Sequence, residues 1–134
     1  MKLTEQRVLI TGGSSGIGLA LAHKFSNQQN TVIITGRDLT KLEGIKASYP
    51  QIHIFQSDVS KDADVRILAE TIQEGFGGID ILINNAGIMN LVDAGNELND
   101  LSRQMQEIEI NYNSPIRVLH YFLPQLKNEK IFYY

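Results

Sequence analysis

Cysteine and tryptophan are absent from this chain of 134 residues, and proline occurs only three times. Without cysteine the chain has no disulfide bonds, cysteine zinc sites or thiol catalysis, which is typical of the reducing cytoplasm, where we expect the protein to act. No stretch approaches the roughly 18 apolar residues of a membrane span. The apolar run VLIT that follows MKLTEQR is too short for a secretory signal. We therefore expect no membrane partner.

An excess of positive charge is also missing, since 12 Lys and Arg face 15 Asp and Glu for a net charge of -3. A mildly acidic chain with no basic block argues against nucleic acid as a partner. The three histidines, His23, His53 and His120, have no second ligand at metal spacing, so we predict no metal site. The length suits one domain with one core, which we assign to residues 1–134.

Short β-branched runs alternate with segments of helical spacing along the first 84 residues. RVLIT, TVIIT, IHIFQ and IDILIN read as strands. Ile17, Leu21 and Phe25 recur at intervals of four, and Asp62 stands as a plausible N-cap before the third helical segment. The apolar stripe of that segment comprises Val65, Leu68, Ala69, Ile72 and Phe76. Apolar strands that alternate with amphipathic helices predict an α/β fold, a doubly wound parallel sheet covered on both faces.

Glycines follow the first strand in LITGGSSGIGLA, at Gly12, Gly16 and Gly18. Glycine there can simply supply the positive φ of a tight turn. A strand, a glycine-rich turn and a helix start can also form an anion site, where backbone N–H groups and the helix dipole face a phosphate. The spacing differs from G-x-G-x-x-G, and no Gly-Lys-Ser/Thr follows, which excludes a P-loop.

Four motifs in order resemble the short-chain dehydrogenases/reductases. Thr11 to Gly18 is similar to the TGxxxGIG turn of that family, and Asn84 to Gly87 is similar to its NNAG motif. Ser57 to Ser60 (SDVS) resembles its acidic motif after the third strand, and Asn111 lies where the family keeps an active-site asparagine. The resemblance implies a Rossmann-type fold of strand order 3-2-1-4. It also implies a dinucleotide cofactor and, in any full-length form, a carbonyl or alcohol substrate.

The resemblance and the strand ends together define the predicted site. Asn111 is the predicted catalytic residue, as support for a proton relay. The predicted cofactor-binding residues are Gly12, Ser14, Ser15, Gly16, Ile17, Gly18, Arg37, Asp58, Val59, Asn85, Ala86 and Gly87. Asp58 can accept from an adenine amino group, or it can form an Asx-turn or a helix cap, and Asn84 is expected to tie neighbouring strands through its amide.

Arg37 bears on the choice between NADP and NAD. An acidic residue after the second strand binds the ribose hydroxyls of NAD, whereas an arginine accommodates a 2′-phosphate. By resemblance, Gly36 occupies the acidic position and Arg37 the phosphate-binding one, while Asp38 is expected to cap the next helix. A solvated arginine is the alternative, and Ser14 and Ser15 stand where the family often has a second basic residue. We predict NADP, with NAD less favoured.

No Tyr-x-x-x-Lys follows, although the family uses this pair with a serine for catalysis. Because the chain ends in KNEKIFYY, where a fifth strand is expected to begin, we expect a domain incomplete at its C-terminal end and inactive alone. A nucleotide-sensing module and a non-functional fragment are the alternatives.

If the domain is incomplete, IDILIN forms an uncovered edge strand that favours aggregation. The last helix is expected to present an apolar surface to a homo-oligomer through Ile108, Tyr112, Leu119, Phe122 and Leu126. Met89, Leu91 and Val92 either line a substrate cleft or pack internally.

Overall fold

Parallel strands and helices alternate in the computed structural model, which describes residues 3–88, 97–126 and 130–133. The strands are β1 (Arg7–Thr11), β2 (Thr31–Gly36), β3 (His53–Gln56), β4 (Ile81–Asn84) and β5 (Lys130–Tyr133). The helices are α1 (Gly16–Ser26), α2 (Leu39–Ser48), α3 (Asp62–Phe76), α4 (Glu97–Ile108) and α5 (Ser114–Phe122). A π-helical turn, Glu109–Asn113, joins α4 to α5, and a 3-10 turn, Leu123–Gln125, continues α5. None of the helices in these ranges is both long enough and apolar enough to cross a membrane.

The described strands form one parallel sheet in the order β3-β2-β1-β4-β5. The predicted order 3-2-1-4 is therefore confirmed, with a fifth strand beside β4. The expectation that β4 is an uncovered edge is wrong, because β5 pairs with it from Ile81↔Lys130 to Asn84↔Tyr133. Four residues of pairing are enough to satisfy the backbone groups that an edge strand leaves open.

The core has two layers because the central strands bury side chains on both faces. In β1, Val8 and Ile10 pack with Ala22 of α1 and Leu42 of α2, whereas Leu9 packs on the opposite face against α3 and α5. All three β1 side chains are completely buried. Strands buried on both faces read as continuous apolar runs, and this explains why the sequence predicts the doubly wound arrangement correctly.

Two details of the helices differ from expectation. Helix α3 begins at Asp62 with Lys61 as its N-cap, so Asp62 is its first residue rather than its cap. In α1 the buried residues are Gly18 and Ala22, and Ile17 is 66% exposed. Ile17 is the second residue of α1 and so lies in its first turn, directly after the glycine turn.

The last helix buries part of the apolar surface that was expected to be exposed. Phe122 and Leu126 belong to the core on the α3 side of the sheet, and Leu119 is partly buried against it. Ile108 and Tyr112 are exposed as expected, at 47% and 68%. Because α5 packs on α3, only the side chains that point away from α3 remain at the surface.

An ion pair joins the beginnings of the two central strands. The Asp80 carboxylate accepts from Arg7 Nε and Nη2, each at 2.9 Å, and also from the Arg7 backbone N–H at 2.9 Å. Arg7 Nη1 donates to Phe76 O at 2.9 Å. The hydrogen bond to Asp80 raises the pKa of Arg7 against an opposing effect of burial. This pair therefore fixes the start of β1 against the turn between α3 and β4.

Candidate functional site

A cleft of about 390 Å³ lies at the carboxyl ends of β1, β2, β3 and β4. Ligands of doubly wound sheets bind at this edge. Ten of the twelve predicted cofactor-binding residues line it: Gly12, Ser14, Ser15, Ile17, Arg37, Asp58, Val59, Asn85, Ala86 and Gly87. The other two, Gly16 and Gly18, belong to the start of α1 just behind the wall. The motifs that the sequence separates by up to 75 positions thus meet at one site.

Six further residues line the cleft without having been predicted: Thr35, Asp38, Lys41, Ser57, Ile88 and Ile110. Thr35 and Ser57 adjoin the ends of β2 and β3, a position that could have singled them out. Lys41 lies on α2 one turn after its cap, so a helical projection of LTKLEGIK could have placed it beside Arg37.

The glycine turn lets backbone approach backbone. Gly12 has a φ of +65°, and a Cβ there would lie 2.8 Å from the Cα of Ala86. A Cβ on Gly18 would lie 2.4 Å from both Asn85 Nδ2 and Gly12 O. Both substitutions require displacement of the β1 and β4 loops. Glycine here therefore does more than supply a turn, because it brings α1 and the NNAG segment together.

The start of α1 fits an anion. Its N-cap, Ser15, makes no side-chain capping hydrogen bond, whereas the α2 cap, Asp38, accepts from Lys41 N at 3.1 Å. Uncapped N–H groups at a helix start and the positive end of the dipole favour a phosphate. Gly16, at a φ of +55°, has nothing within 4 Å of its Cβ position, so space is open beside these N–H groups. The residues present therefore fit the pyrophosphate of a dinucleotide.

Thr11 and Asn85 hold the NNAG segment in place. Thr11 Oγ1 accepts from the backbone N–H groups of Asn85 and Ala86 at 3.1 and 3.2 Å. Asn85 Nδ2 donates to Gly12 O at 3.0 Å. The expected tie through the Asn84 amide is not made by its Nδ2, which is buried without a hydrogen-bond partner among the described residues. A tie of this kind comes instead from Asn85, whose Nδ2 reaches the Gly12 carbonyl just after β1.

Arg37 and Lys41 bring two cations to the wall at the end of β2. Gln56 Nε2 donates to Arg37 O at 3.0 Å and so fixes the backbone there. A Cβ on Gly36 would lie 3.1 Å from Ser14 Oγ, tighter than most contacts of a real side chain. A larger residue at position 36 would therefore press on the glycine turn.

Asp58 forms the Asx-turn that was its alternative role. Its Oδ1 accepts from Ser60 N at 2.9 Å and Ser60 Oγ at 2.6 Å, and its backbone N–H donates to Asp64 Oδ2 at 2.9 Å. Burial opposes ionisation of Asp58, but the hydrogen bonds from Ser60, with Arg37 and Lys61 nearby, leave its pKa below the usual value. Asp58 is thus an ionised carboxylate in the cleft wall with one oxygen already occupied.

Asn111 lies in the π-helical turn, behind the cleft. Its Oδ1 accepts from Ile88 N at 2.9 Å, and its Nδ2 donates to Ile88 O at 2.7 Å. Its side chain lines a neighbouring groove rather than the cleft itself, and Ile88 contributes to both. The Asn111 amide therefore positions the segment that follows NNAG. The catalytic role of Asn111 stays a prediction.

The remaining sequence expectations concern metal ligands and the substrate side. In residues 3–88 and 101–126, no group of three or more His, Asp or Glu side chains is placed to hold a metal ion. Met89, Leu91 and Val92 lie outside the described residues.

Comparison with known proteins agrees with this geometry. The model of the short chain dehydrogenase family matches residues 6–131. The chain is 37% identical over 129 residues to the uncharacterized oxidoreductase DltE of Bacillus subtilis. That alignment covers 96% of this chain and 51% of DltE. It is also 34% identical over 90 residues to farnesol dehydrogenase of Aedes aegypti, in an alignment that covers 63% of this chain and 37% of that protein.

A crystal structure of a short-chain dehydrogenase from Streptomyces avermitilis superposes with a TM-score of 0.81 at 28% identity. The superposition covers 91% of this chain and 44% of that one. The chain spans between 36% and 51% of the length of curated relatives such as these. Since the family motifs occupy the strand ends and the family match covers nearly the whole chain, this protein belongs to the short-chain dehydrogenase family.

Proposed function

We propose that this chain is the NADP(H)-binding portion of a short-chain oxidoreductase. Its cleft supplies what a dinucleotide requires, namely an uncapped helix start for the pyrophosphate and small residues that allow close approach. A bound nicotinamide cofactor would supply hydride transfer to or from a carbonyl or alcohol carbon. The role of the residues described is to bind and orient that cofactor at the carboxyl edge of the sheet.

The proposed preference for NADP(H) rests on Gly36, Arg37 and Lys41, at the end of β2 and the start of α2. Two cations line the cleft where an NAD-binding site would present a carboxylate. Asp38, the next residue along the chain, is already used as the cap of α2. A guanidinium provides paired donors for a phosphate, and Lys41 adds a second charge that the serines of the glycine turn do not.

The experiment that tests this proposal measures dissociation constants for NADPH and NADH in the wild type and in Arg37→Ala. Loss of a charge-assisted phosphate contact costs about 1.5–3 kcal/mol, roughly tenfold or more in NADPH affinity. NADH affinity should change little. Arg66→Ala is the matched control, because Arg66 is exposed on α3 and pairs with Glu70 away from the cleft. Equal affinities for the two cofactors, or an unchanged preference in Arg37→Ala, contradict the proposal.

Turnover is a separate question from binding. The 134 residues contain no Tyr-x-x-x-Lys pair, and general acid–base catalysis of this kind contributes about 10²–10⁴-fold. We therefore expect this chain alone to bind the cofactor without reducing a carbonyl panel. The same observation favours a nucleotide-sensing module as the second candidate function. NADPH oxidation by the isolated chain would contradict both.

We expect Asn111 to support turnover in any full-length form, because its amide makes two hydrogen bonds to the backbone of Ile88. Asn111→Ala is expected to lower kcat more than it weakens cofactor binding, because Ile88 borders the cleft on the side of the NNAG segment. Normal kcat in that variant would reduce Asn111 to a structural helix residue.

A second copy of the chain is the proposed partner of the outer face of α4 and α5. Five exposed apolar side chains recur there at intervals of three or four: Leu101, Met105, Ile108, Tyr112 and Ile116. This spacing produces one continuous stripe along the helices. A stripe of this kind can pair with its own copy about a twofold axis.

A further inference from the structure

Helix α5 and the 3-10 turn that continues it reach the segment after β3 through three polar side chains spaced four residues apart. Arg117 Nη1 donates to Val59 O at 2.8 Å, Tyr121 Oη to Asp62 Oδ2 at 2.7 Å, and Gln125 Nε2 to Ala69 O at 2.7 Å. Residues at this spacing lie on one helix face. The contacts form a row that begins at the cofactor cleft and leads away from it along α3.

Only the first contact of the row touches the cleft. Val59 and its neighbour Asp58 line the wall, and Val59 is 6% exposed. Its carbonyl accepts from a guanidinium, a stronger hydrogen bond than a neutral one. The Asp58 side is held independently, by Ser60 and Asp64. The position of the Val59 backbone in the wall therefore depends on Arg117.

The π-helical turn orients Arg117. Arg117 Nη2 donates to Glu109 Oε1 at 2.6 Å, and Asn113 Nδ2 donates to Glu109 Oε2 at 2.8 Å. The same turn carries Asn111, which holds Ile88 on the other side of the cleft. One turn of helix thus supports two of the loops that form the cofactor site.

We propose that Arg117 is a positioning residue for the adenosine end of the cofactor cleft, which it acts on through the Val59 carbonyl, and that Glu109 acts through Arg117. The inference rests on the proposed NADP(H) function, because it assigns the wall beside Arg37 and Asp58 to the adenosine half. Without the guanidinium, a buried carbonyl loses its partner and the loop shifts to recover one. The shift misplaces the Val59 wall and lowers affinity for the adenosine half.

The test compares Arg117→Met with Gln125→Met in the full chain. Both remove one contact of the same row and keep an unbranched apolar stem, but only Arg117 touches the cleft wall. NADPH and adenosine 2′,5′-bisphosphate are expected to bind Arg117→Met about three- to tenfold more weakly, part of the effect of one charge-assisted hydrogen bond. Nicotinamide mononucleotide should bind both variants as it binds the wild type. Gln125→Met should lose thermal stability and keep its nucleotide affinity within about twofold, since its contact lies away from the wall.

Two further measurements separate positioning from general loss of structure. Amide hydrogen exchange over residues 58–61 should accelerate in Arg117→Met and stay unchanged in Gln125→Met. Arg117→Lys keeps one donor for Val59 O and should recover part of the affinity, and Glu109→Gln should weaken binding less than Arg117→Met. Wild-type affinity for adenosine 2′,5′-bisphosphate in Arg117→Met and Arg117→Lys overturns the inference alone. A wild-type chain that binds neither probe overturns the proposed function and the inference with it.

Discussion

Replacement of Asp80 by alanine should be among the most damaging single changes that spare the cleft. The carboxylate is 11% exposed and accepts three hydrogen bonds from Arg7, two from its guanidinium and one from its backbone. Asp80→Ala leaves a mostly buried arginine without its counter-charge. Loss of one partner of a buried pair costs about 3–5 kcal/mol. For a domain of ordinary stability, about 5–15 kcal/mol, this is a large fraction of the free energy of unfolding.

The double variant Arg7→Met/Asp80→Leu should be less destabilised than Asp80→Ala alone. It removes both charges and fills the space with apolar atoms, a replacement that is often close to neutral. The single variants Arg7→Met and Asp80→Leu and this double variant therefore form a cycle with a coupling energy of about 2 kcal/mol or more. Two residues that do not interact, by contrast, would give losses that add.

The assay is urea unfolding followed by far-ultraviolet circular dichroism at neutral pH, with thermal melting as a second probe. Asp80→Ala should lower Tm by about 10–20 °C. The matched control is the exposed pair of Arg66 and Glu70, whose side chains are 50% and 59% exposed, and whose alanine variants should each cost under about 1 kcal/mol. A loss below about 1 kcal/mol in Asp80→Ala, or fully additive losses in the double variant, would refute the reasoning.

Three other predictions concern pH, packing and assembly. Burial, with Lys46 nearby, lowers the pKa of His53 from its usual 6.5, so the native state binds fewer protons than the unfolded state. The free energy of unfolding should therefore fall as pH drops below about 6.5, and His53→Gln should flatten that slope in a pH series of urea titrations. Gly18→Ala should cost about 1–3 kcal/mol of stability and weaken binding of the proposed NADPH cofactor, since its Cβ would overlap Asn85 Nδ2. Gly44→Ala, with nothing within 4 Å of its Cβ, should instead stabilise by about 0.5–1 kcal/mol, and equal melting temperatures of the two variants would contradict this. Ile116→Lys should shift the chain toward monomer in light scattering, and the equally charged Ile67→Lys on α3 should not; a mass unchanged by Ile116→Lys would place the interface elsewhere.

Local sequence patterns predicted burial, strand bounds and helix caps correctly where these depend only on residues nearby in the chain. The α3 stripe from Val65 to Ile72 is buried as its spacing predicts, and β1 has the bounds of the RVLIT run. Asp38 caps α2 as its position before a helical segment indicates. These predictions hold because helix periodicity, capping and β-branched runs act over a few residues.

The tertiary structure decided which apolar residues of a helix are buried, because the local sequence pattern does not determine this. Ile17 and Phe122 both lie on apolar helical stripes, yet one faces the cleft and the other the core, because burial depends on which neighbouring element covers the helix face.

The family of the chain and the strand ends that form its site were thus evident from the sequence alone, since glycine turns and apolar strands are short-range features. The contacts that shape the cleft were not. Arg117 meets Val59 from 58 positions away, and Asn85 rather than Asn84 spans the 73 positions to Gly12. A side chain chooses such a partner by distance and orientation in the packed molecule, and these exist only once the sheet and its helices have assembled.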